Sequence, residues 1–255
     1  MDAAAVDRPK LLCPVPGCFV RQEVDNISWV DMGSYLLVID ALERPELARD
    51  VLTAMESTAP GKPVHALINT HTHHDHVALN EVFRRRFGAQ IVNAQTHVVP
   101  PAGLTWTEGA RRLEVHAAPG CHTDEDLFVW LPTERLLFVG DIFGWGLIPW
   151  DHLLDRARFA LIISTYCRLA ELEPVVVVPG HGPLCTAAEL RRWVEYITAL
   201  LDEVRRLCHE DSAGRLLDAA SLAPPEDMRH WWRFVKWKHA DSVSKLVYAV
   251  THGRL

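Results

Sequence analysis

Residues 70–76 read THTHHDH, four histidines and one aspartate in seven positions. In an extended segment, residues two apart point the same way, so His71 and His73 can reach one metal ion together. The run is entered from VHALIN (64–69), a strand-like apolar stretch. It is left through DHVALNEVFRRRFG (75–88), a helical pattern with Val82, Phe83 and Phe87 inward and Gly88 as its stop. Asp75 and His76 therefore stand at a helix start, turned toward a second metal position. A strand that feeds a histidine-rich corner and opens a helix favours metal over an exposed polar loop.

Further along, LEVHAAPGCHT (113–123), LLFVGD (136–141) and VVVVPGHG (175–182) each run from a strand into a Gly-containing turn and a metal-competent side chain. These are His122, Asp141 and His181. Glycine beside each permits a tight turn and close backbone approach. Side chains held at strand ends are a usual way for a rigid scaffold to serve loop chemistry.

Other strand-length runs are SYLLVID (34–40), AQIVNA (89–94), LFVWLP (127–132), RLLFVGD (135–141) and EPVVVVPG (173–180). Helical patterns alternate with them. RPELARDVLTAMEST (44–58) has Pro45 near its start and Leu47, Val51, Leu52 and Met55 on one face. DHLLDRARFALIISTYCRLAEL (151–172) reads as a longer, more apolar helix. Thr186 and Glu189 form a capping box ahead of a stripe of Leu190, Trp193, Val194, Ile197, Leu201 and Val204. The tail from Glu226 to Val250 reads as one or two more helices, with Trp231, Trp232 and Trp237 expected in the core against a sheet. Mixed α/β runs of this kind indicate a sandwich of sheets covered by helices.

These motifs resemble the metallo-β-lactamase-fold hydrolases over roughly residues 20–185. The family pattern His-x-His-x-Asp-His stands here as His71, His73, Asp75 and His76, followed by His122 in PGCHT, Asp141 in GD and His181 in PGHG. The resemblance implies an αββα sandwich, here one domain over 1–255 with a C-terminal helical extension over about 186–255. It implies a first metal site of His71, His73 and His122, a second of Asp75, His76 and His181, and Asp141 spanning both. His74 matches no ligand position, and Asp40 falls where the family often buries an aspartate under the ligand loop.

Five imidazoles and two carboxylates suit two divalent ions, zinc first, with manganese or iron as the other candidates. Two such ions with two aspartates and one hydroxide leave a centre of roughly +1, which makes bound water acidic near neutral pH. The expected reaction is attack by bridging hydroxide on the carbonyl of a small ester, thioester, lactone or lactam, with Asp75 as the catalytic group that orients the nucleophile. The alternative is a non-haem iron oxidoreductase of the persulfide dioxygenase type.

Within the family, the lactamase branches carry Cys or Ser where Asp141 stands, lactonases a Tyr at the position of Gly144, and diiron oxidases a Glu at that of His73. The basic glutathione-binding motif of glyoxalase II is not evident in the tail. The chain thus resembles the glyoxalase-II-like, zinc-dependent hydrolase branch. In GWGLIPW (144–150), Trp145, Ile148 and Trp150 are the substrate-pocket candidates, weighed against ordinary loop packing.

Bulk properties bound the rest. The 255 residues are 49% hydrophobic, enough for a sizeable core. With 26 basic against 33 acidic residues, no nucleic-acid partner is expected. The opening MDAAAVDRPK has no apolar signal region, and no run is long and apolar enough to cross a membrane, so a cytoplasmic chain with a small-molecule substrate is expected. The Trp-rich tail leaves a homodimer contact open. Cys13 and Cys18 lack a matching second pair and read as reduced thiols.

Overall fold

The computed structural model describes residues 9–150, 152–210 and 222–255. The first eight residues, on which the reading of an absent signal partly rests, lie outside the described residues, as does Asp151 at the start of the 151–172 helical pattern.

Eleven strands are described, in two sheets. The first sheet orders β1 (Lys10–Val15), β2 (Cys18–Gln22), β3 (Ile27–Asp31), β4 (Leu36–Ile39), β5 (Val64–Ile68) and β6 (Gln90–Val92) as neighbours in sequence order. Its first four strands pair antiparallel, and β4–β5 and β5–β6 are parallel. The second sheet is formed by β7 (Leu104–Glu108), β8 (Arg111–Ala117), β9 (Leu127–Leu131), β10 (Leu136–Gly140) and β11 (Val176–Pro179) in the order β11-β10-β9-β8-β7, with β10 and β11 parallel. The helices are α1 (Ala48–Thr58), α2 (His74–Val77), α3 (Asn80–Phe87), α4 (Arg156–Glu171), α5 (Ala187–Glu210) and α6 (His239–Thr251).

The layering follows from the two-residue period of a strand. In β4, Leu37 and Ile39 face the second sheet, whereas Leu36 and Val38 face α1 and α3. In β10, Leu136 and Phe138 face the first sheet, whereas Leu137 and Val139 face the C-terminal helices. Both strands are apolar throughout because both faces are covered. The result is an αββα sandwich with extra C-terminal helices. Phe138 is fully buried between the sheets, and its truncation to Ala is expected to cost about 3–5 kcal/mol.

Local signals explain the helix ends. Gly88 closes α3 in the left-handed region at φ 68°, a conformation that costs glycine no Cβ clash. The Thr186–Glu189 box forms, with Glu189 Oε2 accepting from Thr186 N at 2.9 Å and from its hydroxyl at 2.7 Å. The 75–88 helical pattern divides into α2 and α3. The helix read over 151–172 begins at Arg156, with Asp155 as its cap accepting from Arg158 N. Three strands at the N-terminal edge, β1, β2 and β3, and the edge strand β7 were not marked by the sequence reading. Among the described residues, no helix is long and apolar enough to cross a membrane.

Candidate metal centre

All seven ligand-type side chains meet at one end of the sandwich, beyond the C-terminal ends of β5, β8, β10 and β11. Two groups form. One holds His71, His73 and His122; the other holds Asp75, His76, Asp141 and His181; within each, one ligand atom per residue lies within 4.8 Å of the others. Asp141 reaches both groups. Its Oδ1 is 3.3 Å from His76 Nε2, and its Oδ2 is 3.3 Å from His181 Nε2 and 3.7 Å from His122 Nε2.

The turns that deliver these side chains leave no spare room. A Cβ on Gly180 would sit 2.2 Å from Asp141 Oδ1 and 2.7 Å from His76 Cε1. Only glycine therefore lets β11 hand over His181 so close to Asp141. Asn26 holds that turn from the first sheet, donating from Nδ2 to Pro179 O and Gly182 O at 2.9 Å each. His122 sits in the β8–β9 loop, where Asp126 Oδ2 accepts from the backbone of Cys121, His122 and Thr123.

The ring nitrogens opposite the ligand atoms are mostly occupied, which fixes ring direction. His122 Nδ1 lies 2.6 Å from Pro149 O, and His181 Nδ1 lies 3.0 Å from Val24 O. His76 Nδ1 is 3.0 Å from Asp40 Oδ2, close enough to pair but poorly aligned for a hydrogen bond. Asp40 is buried at φ 58°, and its carboxylate also accepts from Thr70 N and the Thr70 hydroxyl. Asp40 thus underpins the ligand loop. His74 points outward to Glu43 at 3.1 Å and joins neither group.

Electrostatics favour cations here. Burial, reinforced by neighbouring His76, drives His71 down to about 2, so that it stays neutral and keeps a lone pair. Burial opposes charge on His181 and His76 as well, but nearby carboxylates prevail: Asp141 and Asp75 lift His181 to about 10, while Asp40 and Asp141 lift His76 well above its usual value. Burial would raise Asp141, yet His181 and His76 hold it well below the carboxylate range. Asp75 is held down in the same way, chiefly by His181. His71 Nε2, His76 Nε2 and Asp141 Oδ1 are buried without a hydrogen-bond partner, and His122 Nε2 faces His73 Nδ1 at 3.1 Å. Buried imidazole nitrogens and a carboxylate oxygen left without hydrogen-bond partners, beside carboxylates that call for positive charge, fit metal ions.

A cavity of 400 Å³ opens above the ligands. Its floor is His73, Asp75, His122, Asp141 and His181. Of GWGLIPW, the cavity receives Gly144, Leu147 and Pro149 together with the preceding Phe143, but not Trp145, Ile148 or Trp150. Positive φ at Trp145 and Gly146 turns the alternate side chains away. Trp145 packs on Phe143 and Trp231 in the helical core, Ile148 is fully buried, and Trp150 lies under Arg158 at 3.8 Å beside a separate depression.

The roof comes from the tail. Trp232, Arg233, Trp237, Lys238, Asp241 and Lys245 line the cavity, while of the three tail tryptophans only Trp231 is core. Sequence reading missed these residues and Asn26. The available signal was the interleaving of aromatic and basic residues in WWRFVKWKH (231–239).

The comparisons with known proteins agree with this geometry. The chain is similar to the hydroxyacylglutathione hydrolase of Rhodobacter capsulatus, 31% identical over 67% of this chain and 65% of that protein. It is also similar to the 2,4-dinitroanisole O-demethylase subunit alpha of Nocardioides sp. (strain JS1661), 25% identical over 57% of this chain and 49% of that protein. The chain thus spans between about half and just under two thirds of these curated relatives. In fold it is similar to the sec-alkylsulfatase Pisa1 from Pseudomonas sp., with a TM-score of 0.72 at 16% identity over 99% of this chain and 52% of that one. The family model of the metallo-beta-lactamase superfamily matches residues 22–181, a span that begins in β2 and ends on the last ligand, and the chain belongs to that superfamily.

Proposed function

We propose that the protein is a dinuclear metal-dependent hydrolase of small esters, thioesters or lactones. One observation carries this reading: two ligand groups, joined by Asp141, form the floor of an open cavity of substrate size. When bound there, two divalent ions supply Lewis acidity and a hydroxide equivalent near neutral pH. His71, His73 and His122 would hold one ion, and Asp75, His76 and His181 the other, with Asp141 between them.

The chain's own groups do the positioning. Asp75 faces the cavity as a carboxylate, with Oδ2 3.3 Å from His181 Nε2, and can accept a hydrogen bond from the attacking water. Phe143, Leu147, Pro149, Trp232 and Trp237 line the cavity and reduce water around the scissile group, which strengthens the charges below. The fully assembled second group favours hydrolysis over a mononuclear iron reaction.

The test is metal analysis of the purified protein together with a panel of esters, thioesters, lactones, β-lactams and phosphodiesters. About two zinc ions per chain and turnover of an acyl substrate are expected. Iron with oxygen uptake on a thiol substrate, or no bound transition metal, would refute the proposal.

A further inference from the structure

Lys238 is 3% exposed, yet it belongs to the wall of the cavity above the ligands. It ends an irregular helical turn, Phe234–Lys238, that precedes α6. Its Nζ donates to Gly144 O at 2.6 Å. It otherwise meets ring faces, 4.3 Å from the Trp232 centroid and 5.7 Å from that of Trp237. An ammonium has three N–H donors. One is used, and among the described residues no carboxylate pairs with it. Indole faces offset part of the desolvation cost of a buried cation, but they do not replace a counter-anion.

The surrounding charges do not fill that role. Asp241 is engaged with Lys245 at 3.0 Å, and Lys245 also donates to Ile148 O at 3.1 Å. Arg233 lies 4.4 Å over the Trp232 ring and adds positive charge. Asp141 acts on Lys238 only from across the cavity. Burial accordingly pulls the Lys238 pKa down to about 7, against the attraction of Asp141.

We propose that Lys238 anchors a carboxylate on the substrate, at the end away from the scissile carbonyl, so that the substrate is a monoanionic acyl compound with an apolar or aromatic stem. This rests on the hydrolase reading above. A single ammonium balances a single negative charge; a phosphate would be better met by an arginine fork, and Arg233 is stacked on Trp232. The stem would lie along Phe143, Leu147, Trp232 and Trp237, which line the same cavity. Specificity then lies in the roof, in residues beyond the 22–181 family match.

The test uses the zinc-loaded full chain, with calorimetric titration of 3-phenylpropionate and its uncharged isostere 3-phenylpropionamide into wild type, K238M and K238R. The carboxylate is expected to bind at least tenfold more tightly than the amide in wild type. That ratio should fall at least tenfold in K238M and recover in K238R. At pH 8, wild type should take up a proton on binding the carboxylate, seen as an enthalpy that varies with the buffer's ionisation heat; K238R, always charged, should not. Equal affinity for acid and amide, or a ratio unchanged in K238M because the carboxylate sits on zinc, would overturn the proposal. Should K238M fail to fold, K238Q takes its place, and an unchanged acid-to-amide ratio there overturns the proposal equally. Binding is read without turnover, so Lys238-dependent binding with no hydrolysis of any ester refutes only the hydrolase reading. Hydrolysis with no preference for acid over amide refutes only the anchor.

Discussion

Asp141 and Lys238 face the same cavity and are held in opposite ways. Asp141 follows directly on β10, with Gly140 hydrogen-bonded to Gly180 at the end of parallel β11, and is pinned by His76, His181 and His122. Its carboxylate is ringed by three imidazoles, and its Oδ1 is left without a hydrogen-bond partner among the described residues. Lys238 rides on an irregular turn nearly 100 residues later and has one carbonyl and two indoles for company. The floor is a closed electrostatic unit that lacks only cations. The roof is a covering layer in which the buried ammonium of Lys238 has no counter-anion among the described residues. A site of this kind separates its chemistry, which the sheets hold rigid, from its selectivity, which the C-terminal helices can vary.

The sharpest way to break the comparison is to remove a floor ligand. Asp141→Ala and His122→Ala should each lower turnover by about 10²- to 10³-fold or more, with loss of bound metal measured by elemental analysis and little change in far-UV circular dichroism. Retention of two metals and full turnover in Asp141→Ala would show that Asp141 does not join the two ligand groups. One layer further out, Asp40→Ala removes the acceptor for Thr70 N and the carboxylate beside His76. Metal affinity is expected to fall about 10- to 100-fold, read by competition with a zinc chelator.

Two glycines, separated only by His181, set floor against roof. A Cβ at Gly180 strikes Asp141 and His76, whereas one at Gly182, which also has φ 78°, strikes the Trp232 ring at 2.6 Å. Gly180→Ala should therefore cost metal. Gly182→Ala should keep two metals but move Trp232, raising KM several-fold and lowering stability by about 1–3 kcal/mol. Equal metal loss in both variants would mean that floor and roof are one mechanical unit.

The floor was legible in sequence because its chemistry is local. THTHHDH, PGCHT, GD and PGHG each place a ligand within a few residues of a strand whose apolar run is unmistakable. β1–β3 were harder to read: KLLCPV contains a proline and is largely exposed, while Arg21 and Ser28 are buried polar groups that break the apolar pattern. Arg21 tolerates burial because Glu23 and Asp50 pair with it, a partnership no local pattern announces. The roof was misread for a related reason. Phe234, Val235 and Trp237, interleaved with Lys236 and Lys238, have an ordinary amphipathic pattern, which predicts a core position for the tryptophans. Which side of that turn meets the cavity depends on how α6 docks on the 141–150 loop, through Ser242 on Gly146 and Ile148. Trp145, Ile148 and Trp150 were lost from the pocket by the same docking, since it turns them into the helical layer.

The smallest effect, and the most specific to the roof, is a pH dependence of stability. The folded-state pKa of Lys238, about 7, lies below the ordinary 10.5. Between these values the unfolded chain holds the proton and the folded chain releases it, so stability from this group rises with pH through that window. Below pH 7 both states are charged, and the full desolvation cost weighs on the folded protein. K238M removes the cost at every pH. The variant should therefore be more stable than wild type at pH 6, and the gap should shrink steadily toward pH 10.5, as followed by urea denaturation of the two chelated proteins at matched pH. In the chelated protein the floor gives the opposite slope: His181, raised to about 10, contributes stability that is complete below its ordinary 6.5 and lost as pH climbs toward 10. A constant gap between wild type and K238M across pH 6 to 10.5 would show that Lys238 holds its proton as firmly in the folded protein as in the unfolded chain, and that its charge is not buried at a cost.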